Sequence, residues 1–316
     1  MSKVINHSID KSKVLVTGLT GFVGSNLKEY LNNDYEVIGV SRKKTLDLIT
    51  YNDLNVELLN KSKAFIHLAG KAHDLKNTAN DEEYFEVNTE LTKKIFDTFL
   101  NSNCEIFIYM SSVKAVADEI EGELLEDYKP SPVTVYGKSK LAAENYILSK
   151  KVSDNKRVFI LRPCMIHGPN NKGNLNLLYS FVSKGIPYPF GKYENKRSFL
   201  SIHNLSFVIQ QLIQNTDISS GVYNVSDDKP ISTTDLVKII GQSIDRRVSI
   251  LNIPKFLIGI LAKLGDVFPS PINSEKLQKL TDNYIVSNTK LKQAMAKDLP
   301  LSTMEGITLT IKSFNK

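Results

Sequence analysis

The sequence predicts an α/β protein built on a doubly wound parallel sheet, with a smaller interleaved region formed by its later segments. Three observations carry this. Short β-branched runs alternate with helical patterns over the first half, the signature of parallel strands joined by right-handed helical crossovers. A glycine-rich loop joins the first such run to the first helical pattern. After Pro163 the alternation stops, and turn-rich segments take over.

Each element has its own signal. KVLVT (13–17) reads as a buried strand and FVGSNLKEYLN as the helix after it. YEVIGV (35–40) is the second strand, and DLNVELLN reads as helical. KAFIHLAG (63–70) is a strand that ends in small residues. EEYFEVNTELTKKIFDTFLN has the period of a long amphipathic helix. EIFIYMSS (105–112) is a strand, 136–150 a helix, and KRVFILRP (156–163) a strand stopped by proline. CMIHGPNNKGNLN and IPYPFGKYENKRSFL are rich in Gly, Asn and Pro, and GVYNVSD (221–227) is one more strand before a mostly helical remainder. The expected division is a dinucleotide-binding domain of residues 1–165 plus about 199–226, and a substrate-binding region of about 166–198 and 227–316.

Composition narrows the classes. The chain has 316 residues, enough to bury a large core, and no low-complexity tract. Cys104 and Cys164 are too few for a disulfide framework and lack metal-ligand spacing, so a reducing, cytoplasmic setting and no metal are expected. The start, MSKVINHSIDKSK, lacks the apolar core of a signal peptide. A formal charge of +6 is spread over lysines in ones and twos, which predicts no nucleic-acid surface but a mild attraction for an anionic ligand. IPKFLIGILAKLGDVF (253–268) is the most apolar late run. It is too short to span a membrane and reads as a buried amphipathic helix, with a membrane-surface helix as the alternative.

VTGLTGFVG sets Gly18, Gly21 and Gly24 between a strand and a helix. Glycines there let the backbone turn tightly and approach a pyrophosphate, whose charge meets the helix N-terminus. A dinucleotide site follows. The spacing is G-x-x-G-x-x-G, and Thr17 through Gly24 resemble the T-G-x-x-G-F-x-G pattern of the extended short-chain dehydrogenase/reductases, the class of nucleotide-sugar epimerases, dehydratases and reductases. The resemblance implies a Rossmann sheet with cofactor contacts from Gly18, Thr20, Gly21, Phe22, Val23 and Gly24.

The second strand bears on which cofactor. NAD binders usually carry an acid at its end, for the ribose hydroxyls. Here Ser41 and Arg42 stand in that place, followed by Lys43. A hydroxyl and a guanidinium suit a 2′-phosphate, so NADP(H) is favoured and NAD is the alternative. By resemblance, Asp47 and Leu48 would hold adenine, and Leu68, Ala69 and Gly70 would pass beside the cofactor, with Gly70 where the class has alanine.

Three Tyr-x-x-x-Lys spacings occur: Tyr136/Lys140, Tyr146/Lys150 and Tyr188/Lys192. Only Tyr136 follows a proline-containing loop and opens a helix. Residues four apart on a helix share a face, and an ammonium beside a phenol favours the phenolate. Tyr136 is therefore the expected proton donor or acceptor at a carbonyl or hydroxyl oxygen. Lys140 would tune it and bond the nicotinamide ribose, and Ser112, at the end of EIFIYMSS, would polarise that oxygen. The other two spacings are read as accidental. Pro163 and Met165, in LRPCMIHGPNNKGN, would by resemblance lie against the nicotinamide.

Resemblance supplies the substrate side too. Asn88, in VNTELT, would lie near the active site, where Glu90 replaces the usual glycine. Ser111 and Asn174 would contact substrate, Asn174 through a phosphate. Arg197, in KRSFLSIHNL, would bind the diphosphate of a UDP-sugar, although His203–Asn204 departs from the usual acidic end. His167 stands where Tyr is usual. His73 would line a sugar pocket or be an ordinary loop residue. Ser111–Ser112–Val113 replaces the Thr-Asp-Glu of the dehydratases, which leaves a 4-keto reductase or a 4-epimerase. The likeness leans toward reductases of UDP-4-keto-6-deoxy-N-acetylhexosamines, as in surface polysaccharide precursor synthesis. Kept beside it are a UDP-sugar 4-epimerase with tightly held NAD, an oxidoreductase of a small carbonyl compound, and a dinucleotide-binding sensor without turnover. A homodimer is a further implication of the resemblance.

Overall fold

The computed structural model of the chain describes residues 11–45, 48–72, 80–171, 173–268 and 273–314. In chain order it begins β1 (Lys13–Thr17), α1 (Phe22–Leu31), β2 (Glu36–Ser41), β3 (Leu48–Thr50), α2 (Val56–Asn60) and β4 (Ser62–His67). There follow α3 (Asp81–Phe85), a π-helical turn (Glu86–Glu90), α4 (Leu91–Leu100), β5 (Ile106–Met110), a 3-10 turn (Val113–Ala115), β6 (Glu123–Leu124) and α5 (Val135–Ser149). The rest is β7 (Arg157–Pro163), β8 (Met165–His167), α6 (Asn174–Ser183), β9 (Phe199–Ser201), α7 (Ile202–Gln214), β10 (Gly221–Val225), α8 (Thr233–Ser243), α9 (Lys255–Val267), α10 (Ser274–Thr281), β11 (Ile285–Val286), α11 (Thr289–Met295) and α12 (Thr303–Ser313).

Seven strands form one sheet in the order β10-β7-β5-β4-β1-β2-β3. β1 pairs in parallel with β2 and β4, β2 with β3, and β4 with β5. The order reverses beside β1, so the carboxyl ends of β1 and β4, where Thr17 stands opposite His67, flank the switch point at which such sheets take ligands. The strands are apolar on both faces because both faces are covered: Val14, Leu15, Val16, Phe65, Ile66, Phe107 and Ile108 are fully buried. Phe107 packs 5.0 Å from Phe96 and 5.2 Å from Phe99 of α4, centroid to centroid, which fixes that helix on the sheet. Each of these rings contributes about 2–3 kcal/mol by burial.

Packing divides the chain into two units. One holds Met1–Met110, Ala142–Ile160 and Ser219–Gly221; the other holds Ser111–Leu141, Leu161–Ile218 and Val222–Lys316. In the second, β8 pairs with β9 and β6 with β11. Its core joins Leu175, Tyr188, Phe190, Val237, Ile240 and Ile307. Residues 111–141 belong with these later segments for a visible reason. The Tyr284 hydroxyl donates to the Ala117 carbonyl at 2.7 Å, and the Asn224 amide donates to that of Leu124 at 3.0 Å.

Three details differ from the expected elements. The short strands β3, β6, β8, β9 and β11 carry too few residues for a pattern. The long helix of 81–100 contains a π-helical turn at EVNTE. The third is α9: only Ile258 and Ala262 are buried, while Phe256, Ile260, Leu261, Leu264 and Val267 are exposed. The expectation of a buried helix is thus corrected. Its apolar residues run most of the way round, and only one side has a partner among the described residues. No helix among the described residues is long and apolar enough to cross a membrane.

Candidate active site

The glycine loop is packed so tightly that side chains are excluded. Gly18 has φ +70°, and a Cβ there would lie 2.9 Å from the Ala69 nitrogen. A Cβ on Gly24 would collide with the Gly18 carbonyl and stand 2.5 Å from Leu19 Cα. The Gly21 N–H closes the turn onto the Gly18 carbonyl at 3.0 Å. Gly21 is also the N-cap of α1, with no side-chain cap, and the first turn of α1 carries no acid. These N–H groups and the positive helix end fit the pyrophosphate of a dinucleotide. Thr20, Phe22 and Val23 lie on this same loop and first helical turn.

Behind the loop runs a buried hydrogen-bond relay. The Ala69 N–H donates to Thr17 Oγ1 at 3.0 Å, and Thr17 Oγ1 is 2.7 Å from His67 Nδ1. His67 Nε2 is 2.9 Å from Thr92 Oγ1, which donates to the Asn88 carbonyl at 2.7 Å. Because Thr92 uses its proton on Asn88, it accepts from His67 Nε2–H. The same count makes His67 Nδ1 the acceptor from Thr17. The Asn88 amide completes the chain by accepting from the Lys71 N–H at 2.7 Å and donating to the Lys71 carbonyl at 3.0 Å. The relay clamps the backbone of Leu68, Ala69 and Gly70 against Gly18. Asn88 is fully buried and engaged on both ends of its amide. The π-helical turn presents it, and sequence reasoning missed Thr92 and the role of His67.

At the end of β2, the Ser41 hydroxyl donates to the Lys43 carbonyl at 2.5 Å, and Arg42 is exposed. Burial raises the Tyr51 pKa, and the nearby Arg42 charge opposes that rise. Leu48 begins β3. Asp47 and His73 lie outside the described residues.

In the second unit the Ser111 N–H donates to the Leu161 carbonyl at 2.8 Å. Ser112 caps the 3-10 turn, its Oγ accepting from the Lys114 N–H at 3.2 Å. Ser112 is 9% exposed and Lys140 is 4% exposed, so hydroxyl and amine are both desolvated, while Tyr136 is half-buried. The start of α5 rests directly on the Ser112 turn. A Cβ on Gly137 would collide with the Lys114 carbonyl and lie 2.8 Å from Pro132 Cβ. Asp118 ties the same two segments, accepting from the Val133 N–H at 2.8 Å and the Thr134 N–H at 3.1 Å. The competing spacings have other work. Tyr146 donates to Asp97 at 2.7 Å, and Lys150 lies 4.4 Å from its ring centroid. Tyr188 is buried between Phe181 and Phe190, its pKa pushed up to about 12 by burial.

Lys114 was not anticipated. Its amine donates to the Asp118 carbonyl at 2.8 Å and sits 4.7 Å from the Tyr284 ring centroid. Burial lowers its pKa; Asp118 opposes that shift, and the charge of Arg197 adds to it. Burial likewise lowers Arg197, against Asp282 and Tyr284. Two cations therefore share one partly desolvated region near the Ser112 turn, an arrangement suited to an anionic ligand. Its sequence signal was available: a basic residue two positions after the serine.

Pro163 ends β7, Met165 opens β8, and Asn174 is the first residue of α6. His167 is buried, 2.9 Å from Thr310 Oγ1 and 3.7 Å from Asp227. Just past β10, Asp227 is buried and accepts from the Asn204 side chain at 2.7 Å and from the Ser201 N–H at 3.1 Å, which ties down the start of α7.

The fold is thus that of a dinucleotide-binding α/β enzyme with a serine, a tyrosine and a lysine on adjoining segments. The family model "NAD dependent epimerase/dehydratase family" matches residues 14–226. The chain belongs to that family, the extended short-chain dehydrogenase/reductases, whose members include NAD(P)-dependent epimerases and reductases. Among its relatives is a UDP-glucose 4-epimerase of Vibrio cholerae, 31% identical over 95% of each chain. Two solved structures share the fold. One is MoeE5 in complex with UDP-glucose and NAD, with TM-score 0.74 and 21% identity over 96% of this chain and 99% of that one. The other is RMD from Pseudomonas aeruginosa complexed with NADPH, with TM-score 0.70 and 19% identity over the same shares.

Proposed function

We propose that the protein is a nucleotide-sugar oxidoreductase that acts at C4, reducing the ketone of a UDP-4-keto-6-deoxy-N-acetylhexosamine with NADP(H). The observation that carries this reading is the seating of the α5 start on the Ser112 turn, with Gly137 against the Lys114 carbonyl. It supports a concerted role for Ser112, Tyr136 and Lys140.

Bound nicotinamide supplies the hydride. The chain's own residues handle the oxygen. Ser112 accepts the Lys114 N–H through a lone pair, so its hydroxyl proton can be aimed at the substrate oxygen. Tyr136 delivers a proton to that oxygen, and Lys140, buried beside it in sequence on the same helical face, favours the phenolate left behind. Arg197 and Lys114 meet the diphosphate, and the second unit holds the sugar nucleotide. Arg42, exposed at the end of β2 where an acid would serve NAD, supports NADP(H).

A second reading, a UDP-sugar 4-epimerase with retained NAD, is supported by the Vibrio cholerae relative. One experiment separates them. The protein is incubated with UDP-4-keto-6-deoxy-GlcNAc and NADPH while nicotinamide absorbance is followed. It is incubated separately with UDP-glucose, UDP-galactose and UDP-GlcNAc, with product analysis. Stoichiometric NADPH loss supports the reductase. Interconversion of C4 epimers without net nicotinamide loss supports the epimerase. Turnover of none of them overturns both and leaves a dinucleotide-binding protein without this chemistry.

A further inference from the structure

Asp118 has no part in the proton transfer described above, yet it joins the two segments that carry Ser112 and Tyr136. Both segments belong to the second unit. Helix α5 does not need Asp118 in order to begin. Thr134, the residue before its first turn, caps it: the Thr134 carbonyl accepts from the Lys138 N–H at 2.9 Å, and Thr134 Oγ1 accepts from the Gly137 N–H at 3.2 Å. Asp118 takes the groups that this cap leaves outside the helix. One carboxylate oxygen accepts from the Val133 N–H at 2.8 Å and the Thr134 N–H at 3.1 Å, and the other faces the Thr134 hydroxyl at a longer 3.3 Å. With its proton toward Asp118, the Thr134 hydroxyl presents a lone pair to the Gly137 N–H. Tyr136, the second residue of α5, stands between these two held positions.

The backbone of Asp118 is fixed from the other side, by the Ser112 turn. The Ala115 N–H donates to the Ser112 carbonyl and the Val116 N–H to the Val113 carbonyl, both at 3.0 Å. The Lys114 amine donates to the Asp118 carbonyl at 2.8 Å and lies 3.7 Å from its carboxylate, which holds the acid opposite a cation. The neighbouring Glu119 is engaged elsewhere, accepting from the Gln278 amide at 2.8 Å. Asp118 therefore carries the placement of the Ser112 turn across 15 positions of sequence to the entry of α5.

A carboxylate near a helix N-terminus also favours the helix through its dipole, so a role in stability alone must be weighed. Exposure separates the two. Val133 is 73% exposed and Thr134 is exposed, so water can take their N–H groups if Asp118 is removed. The fold then loses little, while the entry of α5 loses its tether to the Ser112 turn.

We propose that Asp118 is a positioning residue that sets where Tyr136 stands relative to Ser112. The inference rests on the acid–base reading of Ser112, Tyr136 and Lys140.

The test compares wild type, Asp118→Ala, Asp118→Asn and Tyr136→Phe on the sugar nucleotides named above, with kcat expressed per folded molecule from circular dichroism. Asp118→Ala should lose about tenfold to a hundredfold in kcat, the cost of misplacement on the order of 1 Å, with dinucleotide affinity unchanged within about twofold. Asp118→Asn keeps an oxygen for the Val133 and Thr134 N–H groups and should recover most of that loss. A role in stability alone would lower Tm and leave kcat per folded molecule at the wild-type value. That result overturns the proposal, as does an Asp118→Ala chain that fails to fold. Asp118→Asn as slow as Asp118→Ala also overturns it, because the hydrogen-bonded tether would then not be what Asp118 supplies. A wild type that turns over none of these compounds, or Tyr136→Phe with wild-type kcat, overturns the acid–base reading itself and the proposal with it.

Discussion

Replacing Gly137 with alanine tests whether backbone packing sets the catalytic geometry. In a helix, alanine is favoured over glycine by at most about 1 kcal/mol. Here the new methyl would collide with the Lys114 carbonyl and stand 2.8 Å from Pro132 Cβ. Neither neighbour is the flexible end of a side chain, so the start of α5 or the Ser112 turn must shift, at a cost of about 1–3 kcal/mol. The net loss is about 0–2 kcal/mol, a fall of a few degrees or less in Tm for a protein of this size. The shift displaces Tyr136 relative to Ser112, and displacement on the order of 1 Å costs up to about a hundredfold in rate. Turnover at saturating cofactor should therefore fall tenfold to a hundredfold, on the order expected for lost alignment. Dinucleotide affinity, measured by fluorescence quenching, should stay near wild type. An alanine variant with wild-type kcat would refute the reasoning, because the contact would then have no bearing on alignment.

Other perturbations bear on separate parts of the account. Tyr284→Phe removes the bond to the Ala117 carbonyl and leaves a buried acceptor, and should cost about 1–3 kcal/mol in chemical denaturation while lowering kcat through the loosened turn. Ser232 caps α8, and Asp235 stands in the first turn, where the Ser232 hydroxyl, with Lys238, holds its pKa below the usual carboxylate value. Its contribution is present above the unfolded value of 3.8 and lost as pH falls through the depressed one. Asp235→Asn should then be less stable at neutral pH by about 0.5 kcal/mol, discounted for exposure, and the gap should close in acid melts. Arg42→Ala should weaken NADPH binding about tenfold, the value of one charge-assisted contact to a 2′-phosphate, and leave NADH binding within about twofold. Equal loss for both cofactors in titration calorimetry would remove Arg42 from the argument.

Much of this molecule was legible in its sequence because the signals were local. KVLVT followed by three spaced glycines fixes a strand, a turn and a helix start by backbone sterics alone, and the structure gives Gly18 a positive φ and Gly24 no room for a side chain. Position within a helix separated Tyr136 from its two rivals, and the structure gives Tyr146 and Tyr188 partners of their own. What escaped depends on contacts distant in sequence. The Thr17–His67–Thr92 relay joins residues 50 and 25 positions apart, and no spacing rule links them. The bond from Asn204 to Asp227 spans 23 positions. The exposure of α9 could not be read either: an apolar arc states that a face seeks a partner, not whether the same chain supplies it.

The central claim is that Tyr136 moves the proton at C4 with Ser112 and Lys140 beside it. Single-turnover hydride transfer with Tyr136→Phe, alongside cofactor affinity, tests it most directly. The account predicts loss of transfer by at least about a hundredfold, as for removal of a general acid, with dinucleotide binding unchanged within about twofold. Transfer at the wild-type rate in that variant would contradict it.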